Sequence, residues 1–375
     1  MNIIKIILII LISLIIIASI TTISIVFSRK HNKNNKIKYF KCYEKPNGII
    51  VKDIFNKEKI ERNSNEYNLY LPCGYNNVET EMNTINNHHK LKYVFGVKGC
   101  DTIVSKNFIW DTLEKYYGRE NATKIMPETY VLSNKKHLRM LVDKFYQIPN
   151  IVMICKKNIQ RKKGLLLINN INDIDQALKD NYKIAQIYQN NLLLIMDRKV
   201  NLRIYLLIII ENNIFKSFIN KEGKCLYTNK KYNGNTLDFE SNVTSYNVDQ
   251  ELYNKYPHTL TNLATFLIKD GYNWKDIWNK IVKIFQKTME ACYTNFKQPQ
   301  NLGEIICFQL FGADIILDKN GNPYLLEINK GPDMIPKFDK DYVLKRHIYN
   351  ETFNKIGITK SKNNNYIPIF EKNLN

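Results

Sequence analysis

Residues 308–329 read FQLFGADIILDKNGNPYLLEIN, and this stretch decides the fold. Two apolar runs flank Asn320-Gly321, a dipeptide suited to the positive φ of a tight hairpin turn. With residues 319–322 as the loop, Asp318 pairs with Pro323, and the register sets Asp314 directly opposite Glu327. Asn329, two residues on, shares that face. Two opposed carboxylates in an apolar sheet repel, and burial worsens the repulsion. A divalent cation between them would relieve it, and three oxygen donors on rigid strands suit Mg²⁺. The alternative is one carboxylate facing solvent at a sheet edge. Asp318 is expected to serve the turn itself.

Upstream, residues 197–210 read DRKVNLRIYLLIII. Lys199, Asn201 and Arg203 alternate with Val200, Leu202 and Ile204, so one strand face is apolar and the other carries two cations. On an exposed edge this pattern would be ordinary; the wholly apolar run that follows is the mark of a central strand, whose cations would point into a cleft towards phosphate or carboxylate. Earlier still, IVMIC (151–155), with Lys156 at its end, and LLLI (165–168) are expected strands, joined by the basic loop Lys157 to Lys163 and Gly164. Such a loop can fold over phosphates or simply be solvated, and no Walker A or dinucleotide fingerprint occurs. Helices are expected over 106–118, 134–147, 173–179, 259–270 and 274–296, with strands at 184–188 and 192–196.

The chain has 375 residues, with 44% hydrophobic and 24% charged, enough to bury two or three domain cores. Lys+Arg less Asp+Glu is 55 − 35 = +20. That charge suits an acidic partner, but its lysines are spread evenly and no zinc finger, RNP motif or helix-turn-helix accompanies them, so nucleic acid is not the expected partner. Seven cysteines without CxxC spacing argue against a zinc site or a disulfide scaffold, and free thiols are expected.

The run from Ile6 to Phe27 is uncharged and, as a helix, would extend about 33 Å, enough to cross a bilayer. It exceeds the roughly 7–15 residues of a signal-peptide core and lacks a clear cleavage site, so an uncleaved anchor is expected rather than a cleaved signal. Lys5 precedes it, whereas Arg29, Lys30, Lys33, Lys36, Lys38 and Lys41 follow. The positive-inside rule then gives a single-pass membrane protein whose bulk faces the cytosol.

The order of these features is that of an ATP-grasp ligase: strand, basic loop and strand, then a K-x-N-x-R strand, then a D…E-x-N hairpin. More narrowly, residues from about 93 to 335 resemble the tubulin–tyrosine ligase-like family. The resemblance rests on Ser105-Lys106, PETYVL (127–132), Lys156 with Arg161 to Gly164, Gln186-Ile187-Tyr188, RKVNLR (198–203), Lys221-Glu222-Gly223, Val243-Thr244-Ser245 and the hairpin. It implies an α+β, ATP-grasp architecture behind the transmembrane helix. The segments would be an anchor (1–28), a basic linker and small α/β region (29–92), central (93–190) and C-terminal (191–354) ATP-grasp domains, and a polar tail (355–375).

What the resemblance implies in function is an ATP-dependent ligase joining a free amino acid to a protein carboxylate, with an acidic, tubulin-like tail as acceptor. The carboxylate would take the γ-phosphoryl group to give an acyl phosphate, and the amine would then displace phosphate. Lys106, Lys156, Gln186, Tyr188, Lys199 and Thr244 would bind ATP, and Lys199 with Arg203 would face the transferring group. Asp314, Glu327 and Asn329 would hold Mg²⁺, and Asn201, Lys221 and Ser245 would lie on the substrate side. The family's usual residues differ at Asn201 (Asp), Lys221 (Arg), Ser245 (Asn) and Leu226 (Arg). A catalytically inactive, membrane-tethered relative that binds a nucleotide or an acidic tail is the second reading.

Overall fold

The computed structural model describes residues 37–41, 48–74, 77–85, 87–159, 164–234, 237–244, 250–361 and 363–374. The strands are β1 (Lys38–Lys41), β2 (Glu61–Arg62), β3 (Leu69–Leu71), β4 (Tyr93–Phe95), β5 (Thr129–Val131), β6 (Met153–Lys156) and β7 (Leu165–Ile168). After them come β8 (Ile184–Ile187), β9 (Leu194–Ile195), β10 (Arg198–Glu211), β11 (Ile214–Tyr227), β12 (Ile306–Leu317), β13 (Pro323–Asn329) and β14 (Tyr366–Asn373). The larger sheet runs β14-β11-β10-β12-β4-β3-β1-β2, with β13 also paired to β12 and β9 to β10. A smaller sheet runs β5-β8-β6-β7. Helices interleave with both sheets, so the class is α+β.

β10 is apolar on both faces beyond Arg203 because both faces are covered. Leu202, Ile204, Leu206, Ile208 and Ile210 enter one core, with the helices Leu260–Lys269 and Trp274–Cys292. Tyr205, Leu207 and Ile209 enter a second, with the helices Ile49–Lys57 and Asp339–Lys355. Asn212 and Asn213, at φ 51° and 61°, turn β10 into β11, a left-handed pair that asparagine tolerates better than most residues. Helix Trp274–Cys292 starts at an Asn273 side-chain cap and buries Ile277, Ile281, Ile284 and Thr288 at the expected spacing. Each buried isoleucine contributes about 1.5–3 kcal/mol, and truncating Ile281 to alanine would cost about 2–5 kcal/mol.

Four expectations change. Among the described residues no helix is long and apolar enough to cross a membrane. The expected anchor, Ile6 to Phe27, lies outside the described residues, and the expected transmembrane helix, membrane partner and single-pass location find no support in any described helix. The region after the linker is not a separate unit: β1, β2, β3 and β4 extend the large sheet, with β4 parallel to β12. The stretch read as a polar tail carries β14, antiparallel to β11. Cys73 is disulfide-bonded, whereas Cys100, Cys155, Cys225, Cys292 and Cys307 are free and buried.

Candidate active site

The hairpin β12–β13 brings Asp314 opposite Glu327 by a different route from the simple register. Near the turn Leu317 pairs with Pro323, one step off the expected pairing, and a bulge beside Ile315 restores Asp314↔Glu327 and Gly312↔Asn329. Asp318 serves the turn: its carboxylate accepts from the backbone N–H groups of Asn320 and Asn322 at 2.9 and 2.8 Å. Gly321 takes φ 75° there.

Each carboxylate already has a cation, so the expected repulsion is relieved within the chain. On β10, Arg203 is the register partner of Asp314 and donates to it through Nε at 2.5 Å and Nη2 at 3.0 Å. Gly312 makes room for this, since a Cβ there would meet the Arg203 Cδ at 2.9 Å. Glu327 pairs with the Lys106 ammonium at 3.2 Å and accepts from Asn329 Nδ2 at 3.0 Å. Lys106 opens the helix Lys106–Tyr117, where its backbone N–H donates to the Asn158 side chain at 3.0 Å.

Two further lysines converge on this face. Lys156, at the end of β6, is buried and donates to Gln186 Oε1 at 2.7 Å; Gln186 in turn donates to Thr129 Oγ1 at 2.8 Å. Lys199 is buried over the Tyr188 ring, 4.6 Å from its centroid, and donates to its hydroxyl at 3.3 Å. The Tyr188 hydroxyl donates to Asn242 Oδ1 at 2.5 Å. Asn201 Nδ2 donates to Thr244 Oγ1 at 3.0 Å, and its buried Oδ1 has no partner among the described residues. One expected substrate residue, Lys221, is not brought in. Lys221 is exposed on β11 away from the cleft lining, and Ser245, like the basic-loop residues 161–163, lies outside the described residues.

The electrostatics are those of a site short of negative charge. Burial lowers the Lys199 ammonium to about 7, aided by the nearby Lys156, and lowers Lys156 to about 8. Burial would raise Glu327, but Lys106 and Lys156 outweigh it and hold its carboxyl at about 2. Burial also pushes Asp314 up and opposes the charge on Arg203; their mutual contact counters both effects, and Arg203 is pushed further up. Four buried or half-buried cations therefore face two carboxylates, which leaves room for a polyanion.

These residues line a cleft of about 800 Å³ that contains Lys156, Lys199, Asn201, Arg203, Thr244, Asp314, Glu327 and Asn329. Asn242, which carries no sequence signal, also lines it. Asn242 orients Tyr188, and buried Asp341 binds Lys224 at 2.6 Å and Lys345 at 2.9 Å. Lys224 is the β11 register partner of Arg203.

A cleft between two sheets, with lysines from the smaller sheet and the β10 strand facing paired carboxylates on a hairpin, is the arrangement of the ATP-grasp class. The chain belongs to the tubulin-tyrosine ligase family, whose description matches residues 84–365. Curated relatives include a probable tubulin polyglutamylase of Caenorhabditis elegans, 24% identical over 295 residues covering 74% of this chain and 64% of the relative. A probable tubulin polyglutamylase of Homo sapiens is 24% identical over 341 residues, covering 84% of this chain and 54% of the relative. A probable beta-tubulin polyglutamylase of Tetrahymena thermophila is 24% identical over 264 residues, covering 64% of this chain and 22% of the relative. The chain thus spans less than two thirds of the length of each of these relatives.

Proposed function

We propose that the chain is an ATP-dependent ligase that joins a free amino acid to a carboxylate on an acidic protein tail, with tubulin as the acceptor suggested by the relatives' names. The observation that carries this reading is the convergence of Lys156, Lys199 and Arg203 on the Asp314–Glu327 pair in one cleft, with Lys106 ion-paired to Glu327. Lys106, Lys156 and Lys199 would hold phosphate oxygens, with the amide of Gln186 keeping Lys156 in line. Tyr188 and Thr244 would lie on the nucleotide side. Arg203 keeps further N–H donors beyond the two given to Asp314, so it can also face a transferring phosphoryl group.

Asp314, Glu327 and Asn329 fit Mg²⁺ by donor chemistry, because two carboxylates and an amide carbonyl are hard oxygen ligands on adjacent strands. Bound there, the ion would neutralise charge on the phosphate groups. The chain's own residues supply positioning and a low-dielectric, cationic surface. In the proposed reaction an acceptor carboxylate oxygen bonds to the γ-phosphorus as ADP departs. The amine nitrogen then bonds to the acyl carbon, loses a proton and releases phosphate, leaving an amide.

Mass spectrometry of tubulin and of lysate proteins incubated with the full chain, Mg-ATP and all amino acids tests this. A mass increase of one or more aminoacyl residues that requires ATP is the expected result. ATP binding with no modified acceptor would favour the inactive relative, a reading motivated by Leu226 and Asn201 on the cleft wall.

A further inference from the structure

Beyond Asn329 the chain leaves β13 and forms one wall of the cleft, residues 331–335 and 337. Along this wall Asp333, Ile335 and Lys337 are exposed, while Pro332 and Met334 are buried. Pro332 stands against Gly312, where an added Cβ would meet both the Pro332 Cβ and the Arg203 Cδ at 2.9 Å. The wall therefore starts beside Arg203 and runs outward to residues in contact with solvent.

Three buried side chains pin its backbone. Gln309 Nε2 donates to the Lys330 carbonyl at 3.1 Å, and Lys345 Nζ donates to the Ile335 carbonyl at 2.8 Å. The Lys337 N–H donates to Asp341 Oδ2 at 3.0 Å. Asp341 and Lys345 lie one turn apart on the helix Asp339–Lys355 and pair at 2.9 Å. Asp341 also accepts from Lys224 Nζ at 2.6 Å, and Lys224 occupies the β11 position opposite Arg203. The cluster thus ties the wall to the strand that neighbours Arg203.

Stability alone does not account for it. Lys224, Asp341 and Lys345 are all buried, two ammonium groups against one carboxylate. Taking such ions out of water is costly, and well-packed apolar side chains of similar volume often give equal or greater stability. What apolar side chains cannot do is hold the Ile335 carbonyl and the Lys337 N–H at fixed points.

We propose that Lys224, Asp341 and Lys345 are positioning residues that hold the wall 331–337 in place beside Arg203, so that an acceptor chain entering from solvent along Asp333, Ile335 and Lys337 brings its carboxylate to the transferring group. The inference rests on the ligase reading. The three side chains act through the wall and need not touch a substrate. A misplacement of about 1 Å can cost on the order of a hundredfold in rate. The lysines assigned to phosphate, Lys106, Lys156 and Lys199, stand on other elements, so nucleotide binding should not depend on the cluster.

Steady-state kinetics of the full chain with tubulin, Mg-ATP and all amino acids test this in two variants. Lys345→Met frees the Ile335 carbonyl yet leaves Asp341 its Lys224 partner. The triple variant Lys224→Met, Asp341→Leu, Lys345→Met leaves no charge in the cluster, and should melt at or above the temperature of the parent. In both, KM for tubulin should rise about tenfold or more, while KM for Mg-ATP stays within about threefold. A purely structural role would lower the melting temperature and the active fraction, and hence kcat, without moving KM. An unchanged KM for tubulin, a parallel rise in both KM values, or failure of both variants to fold overturns the proposal and leaves the ligase reading standing. A parent protein that modifies no tubulin in the presence of Mg-ATP overturns both.

Discussion

Arg203 grips Asp314 through two parallel contacts, Nε to Oδ1 at 2.5 Å and Nη2 to Oδ2 at 3.0 Å, from the register position directly opposite it. The pair turns a potentially repulsive carboxylate into one half of a buried ion pair. It also fixes the guanidinium against Asp314 through two of its nitrogens. Much of the site's order follows from that contact.

Arg203→Ala should destabilise the chain by about 3–5 kcal/mol, because it leaves the Asp314 carboxylate buried without its cation. Arg203→Lys keeps the charge but loses the fork, at a cost of about 1–2 kcal/mol. Gly312→Ala should act in the same direction by pushing the Arg203 stem aside. Urea denaturation midpoints measure all three; an Arg203→Ala protein as stable as the parent would mean that Asp314 does not depend on this contact.

Lys199 gives the pH dependence. Its ammonium is lowered by burial to about 7, so between about pH 7 and its ordinary value of 10.5 the unfolded chain binds more protons than the folded one. Stability of the ligand-free protein should therefore gain from this group as pH rises through that window, after bearing the full cost of a buried charge below it. Nucleotide binding should run the other way, since phosphate favours the charged lysine. Mg-ATP affinity should fall between pH 7 and 9, and Lys199→Arg should flatten the decline. Titration calorimetry at several pH values would show this; an affinity that rises with pH in the parent protein contradicts it.

Gln186 is best tested by two substitutions. Gln186→Glu puts a carboxylate against Lys156, which should keep that lysine charged but engaged, and Mg-ATP affinity should fall about tenfold or more. Gln186→Leu removes the acceptor and should cost about 1–3 kcal/mol of stability through the unsatisfied Lys156 ammonium, since the Thr129 hydroxyl keeps its bond to the Pro127 carbonyl. Unchanged affinity in the first variant would detach Lys156 from the nucleotide.

The hairpin was legible because a turn dipeptide and a period of two together fix which side chains meet. Lys199, Asn201 and Arg203 were legible for the same reason, since alternation alone sorts cations from apolar neighbours. The repulsion argued for Asp314 and Glu327 did not survive, because their cations come from distant parts of the chain: Arg203 is 111 residues from Asp314, and Lys106 sits at a helix start. No local pattern reveals such pairs. The same holds for Lys224 and Asp341, 117 residues apart. β11 was hidden because Lys216, Asn220, Lys221, Glu222 and Lys224 interrupt its apolar pattern. β14 was missed because its short apolar core sits among charged and amide residues.

The central claim is that the Asp314–Glu327 pair, with its lysines, is a metal–nucleotide site. Glu327→Gln tests it most directly, read by thermal melting with and without Mg-ATP. Because Lys106 loses its counter-charge, the ligand-free variant should be destabilised by about 1–2 kcal/mol. The melting rise that Mg-ATP gives the parent protein should disappear in the variant, and should also disappear from the parent when the metal is chelated. A variant that melts higher with Mg-ATP by the same increment as the parent would contradict the assignment of the pair and the ATP-dependent chemistry built on it.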